Sequence, residues 1–491
     1  GSFYENRVTQ AITIGDTSLY HNNKIIPINN IEIYTVNYYD DYPQDIATVI
    51  PDIGTFNLAG ETYTTTSTTT SLPTGSKVRV LDNNQWIISA TYYDEKARPI
   101  YMGSNNAYLN TSDVVKTAID FVGKTLETES THTKGGTSIT TNDVFTYDHA
   151  SRLVTQTQAI DHGTPELIVN NSYDDLGQLI NKKVGGDVAS EAKNSTGLQT
   201  VDYKYNIRGW LRQINDIYNI GDDVFGFKLG YNTTETGSTP LYNGNISESL
   251  WKTNNEDDGN RAYSYSYDAL NRIENATYKM HFFGQYGISQ YEYTLHNVDY
   301  DKNGNILDLN RQGGGNEGII DKLIYTYDIG NKLTEVKDLY GNTTGFNDGN
   351  TTGDDYAYDA NGNMVKDLNK GIGTTATEGI TYNHLNLPKS ITFNNDATKT
   401  ISYIYDATGV KQAKVVTNGS SLTTTKYAGN FVYKGDNNIA ETLQFFNHPE
   451  GYVEPHGNGF VMTYLVLSPK RISMYKDEHV YLPSSFSISR L

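Results

Sequence analysis

The chain has 491 residues, a formal charge of −19 from 38 basic and 57 acidic residues, and no cysteine. Its length exceeds one ordinary domain of about 100–200 residues and calls for several domains or one repetitive architecture. The acidic balance argues against a grip on nucleic acid, which needs clustered Lys and Arg facing phosphates. The lack of cysteine excludes a disulfide scaffold, a cysteine-ligated zinc and a cysteine nucleophile.

Forty tyrosines stand against fifteen phenylalanines and five methionines. Tyrosine couples a large apolar ring to a hydroxyl that seeks a hydrogen bond, which suits layered, partly wet β surfaces. With abundant Thr, Ile and Val this is strand composition, and 44 glycines with many Asn and Asp supply the turns. No run approaches the roughly 18 apolar residues of a membrane helix, and Gly1-Ser2-Phe3 opens no signal peptide, so no membrane span is expected.

In chain order, residues 1–90 carry short β-like runs, Ile25-Ile26-Pro27-Ile28 and Ile31-Glu32-Ile33-Tyr34. They read as an N-terminal β segment that caps or starts an array. Thr64 to Ser71 is almost pure Thr and Ser, equally suited to a linker or an edge strand.

From residue 91 to 458 a dipeptide recurs: Tyr93-Asp94, Tyr147-Asp148, Tyr173-Asp174, Tyr267-Asp268, Tyr300-Asp301, Tyr327-Asp328, Tyr358-Asp359 and Tyr405-Asp406. Degenerate copies, Tyr205-Asn206, Tyr231-Asn232, Tyr382-Asn383 and Tyr433-Lys434, fall in phase between them. Six steps from Tyr267 to Tyr433 average about 28 residues, inside the period of repeat arrays. In Tyr356-Ala357-Tyr358-Asp359-Ala360-Asn361-Gly362-Asn363-Met364, tyrosines two apart share one strand face. Asp then closes an Asx-type turn, Gly or Asn takes positive φ, and an apolar residue such as Leu153, Leu179, Leu211, Ile273, Ile306, Leu333 or Met364 resumes the strand. Each repeat is thus one hairpin. A lone hairpin is marginal in water, so each must pair with the next in a continuous, twisting sheet. Gln312 to Gly318 and Gly341 to Gly353 read as glycine-rich interruptions.

Other chemistries fit poorly. Gly123-Lys124-Thr125 lacks the earlier glycine of a phosphate-binding loop, since Ala118 stands there. The ten histidines show no metal-binding spacing, and no nucleophile elbow is present. Asp301-Lys302-Asn303-Gly304-Asn305 and Asp359-Ala360-Asn361-Gly362-Asn363 imitate the start of a calcium loop but lack its glycine at position six and its glutamate at position twelve, and read as hairpin turns. The carboxylate pairs Asp174-Asp175, Asp222-Asp223 and Asp354-Asp355 are equally explained by turns, although a glycosidase also needs two carboxylates. No catalytic, metal or cofactor site is assigned, and no enzyme activity is expected.

Tyr173-Asp174-Asp175-Leu176-Gly177-Gln178-Leu179 resembles the Rhs/YD-repeat family, and Phe225-Gly226-Phe227-Lys228 with Leu241-Tyr242-Asn243-Gly244-Asn245-Ile246 resembles its Bacteroidetes members. The resemblance spans roughly Leu72 to Pro455. It implies an all-β fold in which the hairpins coil into a continuous β-sheet spiral, a cocoon-like shell or part of one, as in Tc insecticidal toxins and bacterial Rhs effectors. It also implies a non-catalytic shell around a cargo or toxin polypeptide, a second chain that completes the shell, and a secreted or cell-surface place in a bacterium. The alternative is an adhesin that binds glycans or partner cells through the same array. After Phe445-Phe446-Asn447-His448-Pro449-Glu450-Gly451-Tyr452 the family pattern stops. Tyr475-Lys476-Asp477 continues into Glu478-His479-Val480, so residues 459–491 read as a divergent tail, truncated or frame-shifted.

Overall fold

The computed structural model describes residues 7–14, 17–21, 31–186, 197–254, 259–288, 293–315, 317–437, 439–457 and 459–464. The chain is 57% strand and 2% helix. It divides into two compact units, one made of residues 1–170, 185–197 and 352–464, the other built on 171–184 and 198–351. The boundaries expected at 90 and 458 follow the repeat signature, whereas the units group hairpins by contact.

In the first unit an antiparallel ladder runs through Thr35–Asp40, Thr69–Arg79, Trp86–Tyr93, Pro99–Asn106, Thr111–Ile119, Thr125–Lys134, Thr137–Tyr147 and Leu153–Ile160 to the strand that begins at Glu166. Each strand pairs with its sequence neighbour, as a train of hairpins requires. The short helix Gln44–Ala47 covers one face through Ile46 and Ile50, in a core with Tyr38, Tyr92, Ile100 and Tyr101. Its close approach is possible because a Cβ on Gly103 would collide with Ile50. A second ladder of the same unit holds nine strands, from Ile380–Tyr382 to Gly459–Tyr464.

The second unit repeats the scheme through Leu179–Val184, Gln199–Tyr205, Leu211–Ile214, Phe225–Gly230, Glu248–Thr253, Arg261–Tyr267 and Ile273–Phe282. Gln285–Ile288 and Leu295–Tyr300 both pair with the last of these, and Ile306–Gln312, Ile319–Tyr327 and Leu333–Asp338 follow. Ile217, Leu250 and Ala262 form its buried apolar cluster, with Tyr286 against them.

The all-β class and the hairpin-by-hairpin pairing agree with the sequence. Several local expectations need revision. Ile31 to Tyr34 carries no strand, and the strand starts at Thr35, where β-branched and aromatic residues alternate. The Thr/Ser tract runs into Thr69–Arg79, which is paired on both sides, and Thr69 is buried, so it is neither linker nor edge. The loop at Gly313 does not interrupt the array: the Gly313 amide donates to the Gly318 carbonyl at 2.8 Å, and the flanking strands pair. Residues 341–353 carry no strand. Of the divergent tail, Gly459–Tyr464 pairs with Gly451–His456, while the rest lies outside the described residues, as do residues 25–28.

Candidate functional site in the turn rims and their seam

Tyr93, Tyr147, Tyr173, Tyr267, Tyr300, Tyr327, Tyr358 and Tyr405 are each the last residue of a strand. The aspartate after each opens the turn. Oδ1 of Asp94, Asp148, Asp174, Asp268, Asp301, Asp328, Asp359 and Asp406 accepts from the amides two and four residues on, at 2.7–3.1 Å. The residue three beyond each aspartate has positive φ, from Asn331 at 61° to Gly304 and Gly409 at 91°, with Ala97 at 60°. The ladder then slips by one residue, so that Tyr147 faces Leu153 and Tyr267 faces Ile273. This is a type I turn closed by a left-handed residue and a bulge, which suits the twist of the flanking strands. A carboxylate that accepts two amides supplies what the bulge takes from the ladder.

The second carboxylate oxygen engages the residue four beyond. Arg98, Arg152 and Arg272 bond Asp94, Asp148 and Asp268 at 2.6–2.7 Å, and Asn305 and Asn363 do so to Asp301 and Asp359 at 2.8 and 2.9 Å. At Asp94 burial pulls the pKa up, but the bonds from Arg98 and the turn amides outweigh it and leave the carboxyl below its ordinary range. The Arg152 and Arg272 amides and side chains lower Asp148 and Asp268 in the same direction. Because Asp301 and Asp359 are engaged by their own turns, they are poor cation ligands. Among the described residues no group of three or more His, Cys, Asp or Glu could hold a metal.

The tyrosines link one repeat to the preceding one through their hydroxyls. Tyr300 donates to the Ile273 carbonyl at 2.7 Å, Tyr267 to Ile246 at 2.8 Å, Tyr205 to Leu179 at 2.9 Å and Tyr382 to Met364 at 2.6 Å. Ile273, Leu179 and Met364 are residues that resume the strand after the previous turn. Burial raises the pKa of Tyr205, Tyr267, Tyr300 and Tyr382, so the phenol stays a donor. Side chains also tie neighbouring turns. Arg272 bonds its own Asp268, reaches the Asp301 carbonyl at 3.1 Å and lies 4.4 Å from the centre of the Tyr300 ring. Asn303 and Asn305 both donate to Asn331 at 2.9 Å.

Sequence reading missed one turn and misplaced another. Asp120 lacks a preceding tyrosine, yet its Oδ1 accepts from Val122 and Lys124, and Gly123 has φ of 90°. Gly123-Lys124 is therefore the close of a hairpin turn. The spacing Asp-x-x-Gly, shared with Asp174 to Gly177, is the signal that finds it. Tyr433-Lys434, read as a degenerate turn, lies inside the strand Phe431–Asp436.

Tyr433 belongs instead to a seam within the first unit. There the rim of Tyr-Asp turns of the second ladder meets the opposite rim of the first. Val80 forms an antiparallel bridge with Asp406, the Leu81 amide donates to the Tyr405 carbonyl at 2.7 Å, and Ala407 donates to Arg79 at 2.8 Å. Further along, Asn106 donates to Gln412 at 2.9 Å, and Leu109 packs on Ala428 and Tyr433. His132 bonds Asp113 at 2.5 Å and the Tyr433 hydroxyl at 2.8 Å, with its ring 3.9 Å from that of Phe431. Lys134 and Lys426 flank Glu441 at 3.1 and 2.7 Å; burial raises that carboxyl, but the two ammonium groups bring it below its ordinary range. Ile139 packs with Phe446 and Val453, and the Tyr464 hydroxyl donates to the Leu167 carbonyl at 3.0 Å. The separation in sequence stays nearly constant: 306 residues at Asn106, 301 at His132 and 297 at Leu167. Constant separation means that two hairpin trains run alongside each other in the same direction, rim on rim.

The class defined by these features is an all-β array of Tyr-Asp hairpins, fastened within each rim and, in the first unit, from one rim to another. No protein-family description and no curated protein matches the sequence. Among solved structures the chain is similar to one titled "Crystal Structure of TcdB2-TccC3 without hypervariable C-terminal region", at 12% identity and a TM-score of 0.44, over 81% of this chain and 21% of that one. It is also similar to one titled "Crystal Structure of TcdB2-TccC3-Cdc42", at 11% identity and a TM-score of 0.24, over 82% of this chain and 26% of that one. The chain thus spans about a quarter of the chains it matches, and at these scores the likeness carries no argument about activity. No helix among the described residues is long and apolar enough to cross a membrane.

Proposed function

We propose that this chain is a non-catalytic structural wall of a bacterial, secreted or surface-borne toxin or effector system of Rhs type, which encloses or carries a cargo polypeptide. The observation that supports it best is the seam. A single train of hairpins ends in two rims of turns, and a barrier forms only where one rim seals against another. Val80–Asp406, Leu109–Tyr433 and Tyr464–Leu167 make that seal with buried apolar groups and satisfied backbone polar groups. The turn carboxylates are spent on amides and on neighbouring Arg or Asn side chains, a use suited to scaffolding. The resemblance of the Tyr-Asp repeats to Rhs proteins supplies the toxin context.

The test is protease protection. The full chain is co-expressed with the polypeptide encoded beside it, purified, and digested. The expected result is a co-purifying polypeptide that survives at protease levels that degrade it alone and becomes digestible when Phe446→Ala loosens the seam. Degradation at the free rate in the presence of the intact chain would overturn the reading.

A further inference from the structure

Within the second unit both rims carry uncovered apolar turn tips. On the rim of Tyr-Asp turns, Leu176, Ile207, Leu270 and Ile329 are 67–109% exposed. They occupy the first or second position after Asp174, Asn206, Asp268 and Asp328, whose carboxylates or amide hold the turns rigid. The row is reinforced by ties between adjacent turns, from Asn243 and Asn245 to Asn271, and from Asn303 and Asn305 to Asn331. On the opposite rim of the same unit Phe283, Leu339 and Tyr340 are 49–107% exposed. Solvent-facing apolar residues are unremarkable singly, whereas rows of them on fixed backbone mark contact surfaces.

The seam of the first unit shows what such rims fit. There a Tyr-Asp rim receives an opposite rim whose tips are apolar, Val80, Leu81 and Leu109, all buried. We infer that a second copy of this chain docks head to tail, the Tyr-Asp rim of one second unit seating on the opposite rim of the next. The chain itself thus offers both halves of the contact. It is heterologous, so each docked copy leaves one rim open and the assembly grows with concentration. Net charge of −19 opposes it, and added salt strengthens it by screening. The inference extends the wall reading by naming what continues the wall.

The test uses the full chain in sedimentation velocity over roughly 2–200 µM, with K_d shifts read on the scale of interface truncations. One variant carries Leu176→Asn, Ile207→Asn, Leu270→Asn and Ile329→Asn; a second carries Phe283→Asn, Leu339→Asn and Tyr340→Asn. The expected result is open-ended association of the unchanged chain, weakened roughly tenfold or more in either variant alone. A 1:1 mixture of the two variants then gives a discrete dimer, because each retains the rim the other lacks. Circular dichroism confirms that both variants fold, and if either does not, the single changes Ile329→Asn and Phe283→Asn take their place. A monomeric unchanged chain throughout the range, association untouched by the variants, or a mixture that stays monomeric overturns the inference. A monomer that still protects cargo from protease would overturn this inference and leave the wall reading intact.

Discussion

The turns at Asp268 and Asp406 are made from the same hydrogen bonds and sit in opposite surroundings. Asp268, in the second unit, holds Leu270 and Arg272 at an exposed rim, with an arginine on its second oxygen. Asp406, in the first unit, is buried in the seam, holds Thr408 and Val410, and takes Gln412 on its second oxygen at 3.0 Å. The neutral amide that replaces the guanidinium also meets Asn106 across the seam. The turn is therefore complete before anything covers it, and covering it requires only a change of the residue that serves the outer oxygen. Burying Arg there would add the desolvation of a second charge, whereas Gln satisfies the oxygen without one.

The contrast between covered and open rims is most sharply broken in the cores. Phe446→Ala, in the seam cluster with Ile139 and Val453, is expected to cost roughly 3–5 kcal/mol. Leu270→Ala at the open rim should cost less than about 0.5 kcal/mol. Urea midpoints of the two variants measure the difference, and equal midpoints would mean that the seam contributes nothing. Next in size is Asp406→Ala, which strands buried amides and the Gln412 side chain for roughly 2–3 kcal/mol. Asp268→Ala is expected to lose less, since water reaches the freed groups.

Acid separates the regions again. Burial lowers His448, in the first unit, from 6.5 to about 4, although a bond from the Thr463 backbone works the other way. A folded pKa below the unfolded one means full stability above pH 6.5 and progressive loss as pH falls towards 4, because only the unfolded chain then takes up the proton. Between pH 6.5 and 5 that amounts to about 2 kcal/mol, and His448→Gln should flatten urea midpoints over this window. The lowered carboxyls of Asp148, Asp268 and Asp359 contribute stability that is intact above the ordinary carboxylate pKa and is lost only as pH drops below it. Smaller still are two single-group changes. Tyr300→Phe removes the bond to the Ile273 carbonyl and should cost about 0.5–1.5 kcal/mol. Ala97→Gly relieves a φ of 60° and should stabilise by about 1 kcal/mol. Thermal denaturation resolves both, and a loss on Ala97→Gly would contradict the turn assignment.

The turns were legible because their requirements are local. A carboxylate must reach amides two and four residues on, and a left-handed residue must follow at the third position, so Tyr-Asp with a nearby Gly or Asn locates a hairpin end. The neighbour-to-neighbour pairing follows from that. Asp120 escaped because the tyrosine, not the aspartate, was used as the marker. The seam was illegible because it joins residues about three hundred positions apart through a bridge, a histidine and a few apolar tips. His132, Asp113 and Tyr433 share no spacing that sequence periodicity could reveal. The expected stacking of tyrosines from hairpin to hairpin gives way in part to hydroxyl-to-carbonyl bonds, which depend on where the previous strand resumes and not on ring faces.

Those hydroxyl-to-carbonyl bonds have an evolutionary reading. Tyr300 grips the main chain of Ile273, and Tyr382 grips that of Met364, so the gripped side chain can change freely while the fastening persists. Selection on such a wall acts on a rhythm of donors and turns. Lineages of it can drift until almost no residues coincide and still clasp, repeat to repeat, in the same way.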